Sequence, residues 1–221
     1  MTPRPFVVAI DGPSASGKGT LARRLAKRFG FAHLDTGALY RATALGVLDN
    51  KDDPADPVAA ERAARRLDLK ALADPRLRSE AVAAAASVVA ANPEVRGALL
   101  AIQRDFAMHP PAPARGAVLD GRDIGSVVYP KADLKLFLTA DVAARADRRV
   151  KELRGRGAAA IYENILQDLV NRDSRDSERR DAPLSVARDA IIIDTTTLDA
   201  DAVLEYAAEF IARAFKEKEC L

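Results

Sequence analysis

The chain has no tryptophan, two histidines and a single cysteine, Cys220, one residue from its C-terminus. One thiol cannot close an internal disulfide, and a cysteine-ligated metal centre is excluded as well. Aromatic residues make up 5% of the 221 residues. None lies among the basic residues of 145–156, so the base-stacking platform of a single-strand nucleic-acid binder is missing. A formal net charge of +2 gives no global field for nucleic acid or a membrane surface. Long hydrophobic runs are missing too. The first apolar run, Phe6–Ile10, ends at Asp11, far short of a secretory core or a membrane span. A cytoplasmic protein without membrane or nucleic-acid partners is expected. Its length suffices for one substantial core with small appended lids.

What the chain does carry begins at that first run. Phe6–Ile10 reads as a buried strand, and Asp11-Gly12-Pro13-Ser14-Ala15-Ser16-Gly17-Lys18-Gly19-Thr20 follows it. Gly12, Gly17 and Lys18 fit G-x-x-x-x-G-K, a loop whose backbone N–H groups cradle phosphate oxygens while the lysine reaches the terminal phosphates. Residues 21–29 then have helical spacing at Leu21, Leu25 and Phe29, with Gly30 at the C-cap position. That helix would aim its positive end at the bound anion. The hydroxyl usually found directly after the lysine is displaced by one residue, because Gly19 precedes Thr20. Gly-Lys-Gly-Thr in this setting resembles the nucleoside monophosphate kinases more than GTPases or motor ATPases.

Strand-like runs recur at Phe31–Leu34, Ala117–Leu119, Leu134–Thr139 and Ala190–Ile193, with amphipathic stretches between them. This alternation predicts an α/β, three-layer fold on a five-stranded parallel sheet, with the whole of 1–221 as one domain. Four acids, Asp11, Asp35, Asp120 and Asp194, stand where strands end. They are expected on one rim, the carboxyl-end crevice where such sheets bind ligands, although Asp194 reads better as a turn cap. Residues 49–116 break the alternation with Ala-rich helical segments, near Val58–Leu69, Ser79–Ala91 and Asn92–Met108. They read as a helical insertion. Val95, Leu99, Ile102 and Phe106 would line the buried face of the last of these. The stretch Asp199–Lys218 reads as a capped helix packed through Val203, Tyr206, Phe210 and Ala214.

Phosphoryl transfer asks a protein for positioning and for cations around the migrating group. Between 145 and 188 stand eleven cations, ten of them arginine, against eight acids. Arg154-Gly155-Arg156-Gly157 suits a glycine-hinged lid, approximately 150–160. Asp120-Gly121-Arg122-Asp123-Ile124-Gly125 follows a buried strand, where an acid can orient hydrated magnesium. In Asp35-Thr36-Gly37-Ala38-Leu39-Tyr40-Arg41 the Thr36 hydroxyl would cap a helix and Arg41 would face an acceptor phosphate.

Together these segments, with Arg-Asp-Ser-Arg-Asp-Ser-Glu-Arg at 172–179 and Ala-Pro-Leu at 182–184, resemble the bacterial cytidylate kinase family from Phe6 to about Ile211. The resemblance implies transfer of the γ-phosphate of ATP to CMP or dCMP with magnesium, by a P-loop kinase core bearing a helical monophosphate-binding insertion and an Arg-rich lid. It assigns Gly12, Pro13, Ser14, Ala15, Ser16, Gly17, Lys18, Gly19 and Thr20 to ATP. It puts Thr36, Arg41, Arg122 and Arg179 around the acceptor phosphate, Ser87, Arg96 and Asp123 on cytosine, and Arg172 and Asp176 on the sugar. Lys18, Arg122, Arg179 and Arg149 would act on the transferring phosphate. Arg148, Arg149, Arg154 and Arg156 would belong to the lid. Magnesium would be held by phosphates and water, with Asp120 behind that water and no direct protein ligand. The chain would act as a monomer. One departure stands out: no strand-turn-strand pattern fits between Asp68 and Ser87, where many family members carry a small antiparallel sheet.

The cytosine assignment makes chemical sense, since a carboxylate is the natural partner of an exocyclic amine. A kinase of the same architecture for UMP, AMP, dTMP or shikimate is the nearest alternative. A nucleotide-dependent switch would carry a guanine-reading Asn-Lys-x-Asp or a hydroxyl directly after Lys18, and the chain has neither.

Overall fold

The computed structural model describes residues 4–219, so Cys220 lies outside the described residues. Five strands, β1 (Phe6–Asp11), β2 (Ala32–Asp35), β3 (Gly116–Gly121), β4 (Leu134–Thr139) and β5 (Ile191–Asp194), form one sheet. Its order is β2-β3-β1-β4-β5 and every pairing is parallel. The side-chain period of two divides β1 between two cores. Phe6, Val8 and Ile10 pack with Leu25 of α1 (Lys18–Phe29) and Ile211 of α8 (Ala200–Glu219). Val7 and Ala9 face the opposite layer, with Leu39 of α2 (Thr36–Asp49) and Leu99 of α5 (Pro93–Met108). Fully buried β1 and β3 explain why their sequences read as continuous apolar runs.

Register brings the strand-end acids together. Asp35 lies opposite Asp120, Asp120 opposite Ile10, and Asp11 opposite Gly121. Asp194 lies at the far side, opposite Thr139, and its carboxylate caps the turn at Thr196 as expected.

Residues 50–115 contain α3 (Pro57–Arg65), two 3-10 turns at Leu69–Ala73 and Pro75–Arg78, α4 (Glu80–Val89) and α5, with no strand among them. The first helix stops four residues before the expected Leu69. Asp68 and Asp74 each cap a new turn by accepting from the N–H two residues on, at 2.9 and 2.8 Å, and Pro75 prevents continuation. Asn92 caps α5 with Pro93 in its first turn, as the sequence indicates. The buried stripe of α5 is Val95, Leu99, Gln103 and Ala107, one step round from the predicted one; Ile102 and Phe106 flank it. In α8 the stripe is Val203, Leu204, Ala207, Ala208 and Ile211, while Tyr206 is exposed and lies edge-on to Phe210.

The remaining helices are α6 (Val142–Gly155) and α7 (Tyr162–Glu178), which pack on each other through Val150, Leu153, Ile165 and Leu169. Arg154 and Gly155 thus close a helix, and the irregular connection runs only over 156–161, with Gly157 at φ +76°. Among the described residues no helix is long and apolar enough to cross a membrane.

Candidate active site

The loop after β1 folds as the glycine spacing requires. Gly12 has φ +148°, and a Cβ there would stand 2.1 Å from the Leu138 carbonyl oxygen, so no other residue fits. Gly17, at φ +91°, precedes the first turn of α1, and Ala15 also takes a positive φ of 59°. The loop's carbonyls are drawn outward. Pro13 accepts from Lys18 Nζ (3.1 Å), Ser14 from Arg145 Nη1 (3.2 Å) and Ser16 from Thr195 Oγ1 (3.0 Å). With the carbonyls so engaged, the N–H groups are left for an anion.

Two cavities of about 560 and 540 Å³ meet on this loop. The first runs from Gly17 and Thr20 past Arg148 to Thr195, Leu198 and Val203, and has the shape of a donor-nucleotide cleft. The second runs from Ser14 past Asp35, Arg41, Asp120 and Arg122 to Arg172. A smaller chamber of about 50 Å³ opens from it at Gly121, Arg122 and Arg172. Thr36, Ser87, Arg96, Asp123, Asp176 and Arg179 line that chamber.

Charge in these cavities is tightly managed. Burial pushes the Lys18 ammonium down to about 7, with Arg122 adding to the shift. Burial would raise Asp35, but Arg41, 2.6 Å away, outweighs it and holds the carboxyl below the usual range. Asp176 behaves alike, with Arg122 Nε at 2.7 Å. Burial pushes Asp123 up against the opposing pull of its ion-pair partner Arg96, whose guanidinium lies 5.8 Å above the Tyr40 ring. Arg172 is lowered to about 10 by burial and by the neighbouring Arg122. Three polar atoms here, Ser87 Oγ, Arg172 Nε and Arg179 Nε, are sealed from solvent without a hydrogen-bond partner. Buried polar groups are nearly always paired, so these three mark places where a ligand belongs.

Several expectations shift. Thr36 does not cap α2: Asp35 does, accepting from Ala38 N–H at 3.1 Å, while Thr36 Oγ1 donates to the Asp120 carbonyl at 2.8 Å. Asp35 stands at the extended N-cap position, from which its carboxylate reaches the N–H three residues on, whereas Thr36 is already the first helical residue. Asp11 is no open rim acid; its two oxygens accept the Ile124 and Gly125 N–H groups at 2.8 Å each, and burial raises it to about 6. Arg172 and Arg179 have different surroundings. Arg172 faces Lys18, Arg41 and Arg122, whereas Arg179 sits among Arg96, Asp123, Tyr40 and Asp176. Seven residues separate them, about two turns of α7, so the helix spreads them along one face. Gly12 and Pro13 are buried and stand outside the linings of the two large cavities. Arg149 pairs with Glu80 and Glu152, Arg148 holds Thr195, Arg156 pairs with Glu152, and Arg154 turns away to the Ala160 carbonyl.

The sequence reading missed Tyr40, Arg145, Thr195, His33 and Arg23. His33 Nε2 lies 2.7 Å from Asp120 Oδ1. Only Arg23 had a readable signal, standing four residues after Gly19 and so on the same face of α1.

A glycine-rich loop on a parallel sheet, joined to an arginine-lined chamber through a shared lysine, defines a P-loop phosphotransferase whose acceptor is itself anionic. The chain belongs to the cytidylate kinase family: the family model "Cytidylate kinase" matches residues 8–213. A cytidylate kinase of Rhodospirillum rubrum is 53% identical over 207 residues, covering 94% of this chain and 97% of that protein. One of Methylocella silvestris is 55% identical over 209 residues, with 95% of each chain covered. Among solved structures, a gluconokinase from Sinorhizobium meliloti aligns over 97% of this chain and 96% of its own, with a TM-score of 0.53 and 14% identity, a likeness of fold alone.

Proposed function

We propose that the protein transfers the γ-phosphate of ATP to CMP or dCMP, giving ADP and the cytidine diphosphate, a step of pyrimidine nucleotide metabolism. ATP would lie in the cleft between Gly17 and Val203, with its phosphates in the loop from Gly12 to Thr20. CMP would lie in the second cavity, its phosphate among Arg41, Arg122 and Arg172 and its base in the chamber of Ser87, Arg96 and Asp123. Arg172 lines both the second cavity and the chamber, while Asp176 and Arg179 line the chamber beside the base. The observation that carries this reading is the meeting of the two cavities at Lys18.

The chemistry is mostly placement. A phosphate monoester has its second pKa near 6, so at pH 7 the attacking oxygen is largely ionised and no general base is required. Lys18, Arg122 and Arg149 supply positive charge around the migrating group. Asp123 accepts from the cytosine amine, while Ser87 and Arg96 donate to N3 and O2. Uracil would turn a carbonyl toward Asp123, an unpaired contact in a dry site.

The residues present suit a magnesium ion held chiefly by phosphates and water. Among the described residues no cluster of three or more His, Cys, Asp or Glu could bind a metal by itself. Asp120 lines the second cavity beside Lys18 and Gly19, with Oδ1 fixed by His33. The ion would neutralise charge on the β- and γ-phosphates. Every group of the site lies in one chain, which favours a monomer, and the substrates favour the cytoplasm.

The test is turnover with ATP across CMP, dCMP, UMP, AMP, dTMP and shikimate. Activity on CMP or dCMP is expected to dominate, and Lys18→Ala to abolish it with the melting temperature retained. Turnover of a non-cytosine acceptor alone overturns the reading.

A further inference from the structure

Six residues line both large cavities: Ala15, Lys18, Gly19, Arg23, Arg149 and Glu152. They mark the junction through which a phosphoryl group passes. Lys18 belongs to the loop and Arg149 to the lid helix, but Arg23 has no assigned part. Arg24 and Arg28, the other arginines of α1, pair with Asp201 and Glu205 of α8. Arg41, Arg122, Arg149 and Arg156 in the second cavity are likewise paired with carboxylates. Arg23 has neither an ion pair nor a hydrogen bond among the described residues, though Glu152 lines the same junction.

The glycine that follows Lys18 bears on this. A Cβ added at Gly19 would stand 3.6 Å from Arg23 Nη1 and 3.5 Å from Asp120 Oδ2. Both the guanidinium and the Asp120 carboxylate therefore lie beside the bare Cα of Gly19, which brings Arg23 close to the acceptor cavity.

We propose that Arg23 is a further catalytic residue, whose guanidinium contacts the phosphoryl group as it crosses from donor to acceptor. The assignment rests on the reaction proposed above. In that step an acceptor phosphate oxygen bonds to the γ-phosphorus, the bond to the β,γ-bridging oxygen breaks, and ADP departs with its electron pair. The equatorial oxygens carry negative charge throughout. Arg23 neither gains nor loses a proton; it adds N–H donors to those oxygens at the junction. An unpaired arginine can do so without first giving up a carboxylate partner.

The experiment measures kcat and both KM values for wild type, Arg23→Ala, Arg23→Lys and, as a control on the same helix, Arg28→Ala. Contact made only in the transition state lowers kcat and kcat/KM together. Arg23→Ala is expected to lose about tenfold or more in kcat with both KM values within about threefold, and Arg23→Lys to recover part of it. Exposure of Arg23 keeps the melting temperature of both variants at the wild-type value, and Arg28→Ala retains full kcat. An Arg23→Ala kcat within twofold of wild type, with or without a raised KM, overturns the catalytic role. Wild-type protein that does not phosphorylate CMP overturns the reaction itself, a separate failure.

Discussion

Replacing Ser87 by alanine should move stability and binding in opposite directions. Ser87 lies in α4 with 7% of its surface exposed, and its Oγ reaches neither solvent nor a partner. A buried hydroxyl without a hydrogen bond costs roughly 1–3 kcal/mol in mutational series. Taking the lower end, because the chamber beside it relaxes, Ser87→Ala should stabilise the free protein by about 1 kcal/mol. For a chain of this size that raises the melting temperature by about 2–4 °C. In the proposed complex the same hydroxyl would donate to the cytosine ring, and losing one such bond would forfeit about 0.5–1.5 kcal/mol, a roughly 2- to 13-fold weaker CMP affinity. Thermal melts of the free protein and CMP titration by calorimetry read the two effects separately. A lower melting temperature would mean that Oγ already has a partner. Unchanged CMP affinity with a raised melting temperature would remove Ser87 from the base site while leaving its burial intact.

Three further outcomes are expected. Asp123→Asn, which presents an amide where a carboxylate accepted, should narrow CMP/UMP discrimination by about 1–3 kcal/mol; unchanged selectivity in kcat/KM would show that Asp123 does not read the base. Lys18, lowered to about 7 in the free loop, is largely neutral at pH 8, and bound phosphates favour its cation. ATP binding at pH 8 should therefore take up a proton, and uptake should fade as pH drops below 7. Calorimetry in buffers of differing ionisation enthalpy measures this, and proton release at pH 8 would refute it. Asp11, raised to about 6 by burial, binds more protons folded than unfolded between about pH 4 and 6. Its contribution is full below the unfolded value and lost as pH rises through 6, so Asp11 alone makes the protein less stable at pH 7 than at pH 4, by about 3 kcal/mol. A urea midpoint series compared with Asp11→Asn isolates that slope; identical slopes would exclude Asp11 as its source.

Much of the fold was legible because its strongest signals are local. Five apolar runs with turn residues between them define the strands, and Gly30, Ser79 and Asn92 punctuate helices wherever they stand. The loop is equally local, since Gly12, Gly17 and Lys18 act through their own backbone. Helix faces were less legible. The stripe of α5 passes through Gln103, a polar residue buried because its amide donates to the Leu99 carbonyl at 3.1 Å. No periodicity count could include it. Burial of Arg145 has the same origin: its guanidinium binds the Ala140 and Ser14 carbonyls and Asp173, three groups far apart in sequence. The different settings of Arg172 and Arg179 were out of reach for a further reason. Both lie toward the end of one charged helix, and only the position of that helix over the chamber decides that Arg172 lines both cavity and chamber while Arg179 lines the chamber alone.

The ion pairs of the site bear on how it selects its substrates. Arg41 with Asp35, Arg122 with Asp176, Arg96 with Asp123 and Arg149 with Glu80 each keep a cation neutralised until a ligand arrives. An incoming phosphate gains only the difference between its own bonds to arginine and those it displaces, so general anions of lower charge are poorly rewarded. In the binding mode proposed above, CMP would meet several such pairs at once. Its phosphate would compete for Arg41 and Arg122, and its amine would replace the guanidinium on Asp123 while Arg96 turned to the ring. Lys18 and Arg23, which line both cavities, have no carboxylate ion pair among the described residues, so a phosphoryl group crossing between the cavities would meet cations that need give up no partner.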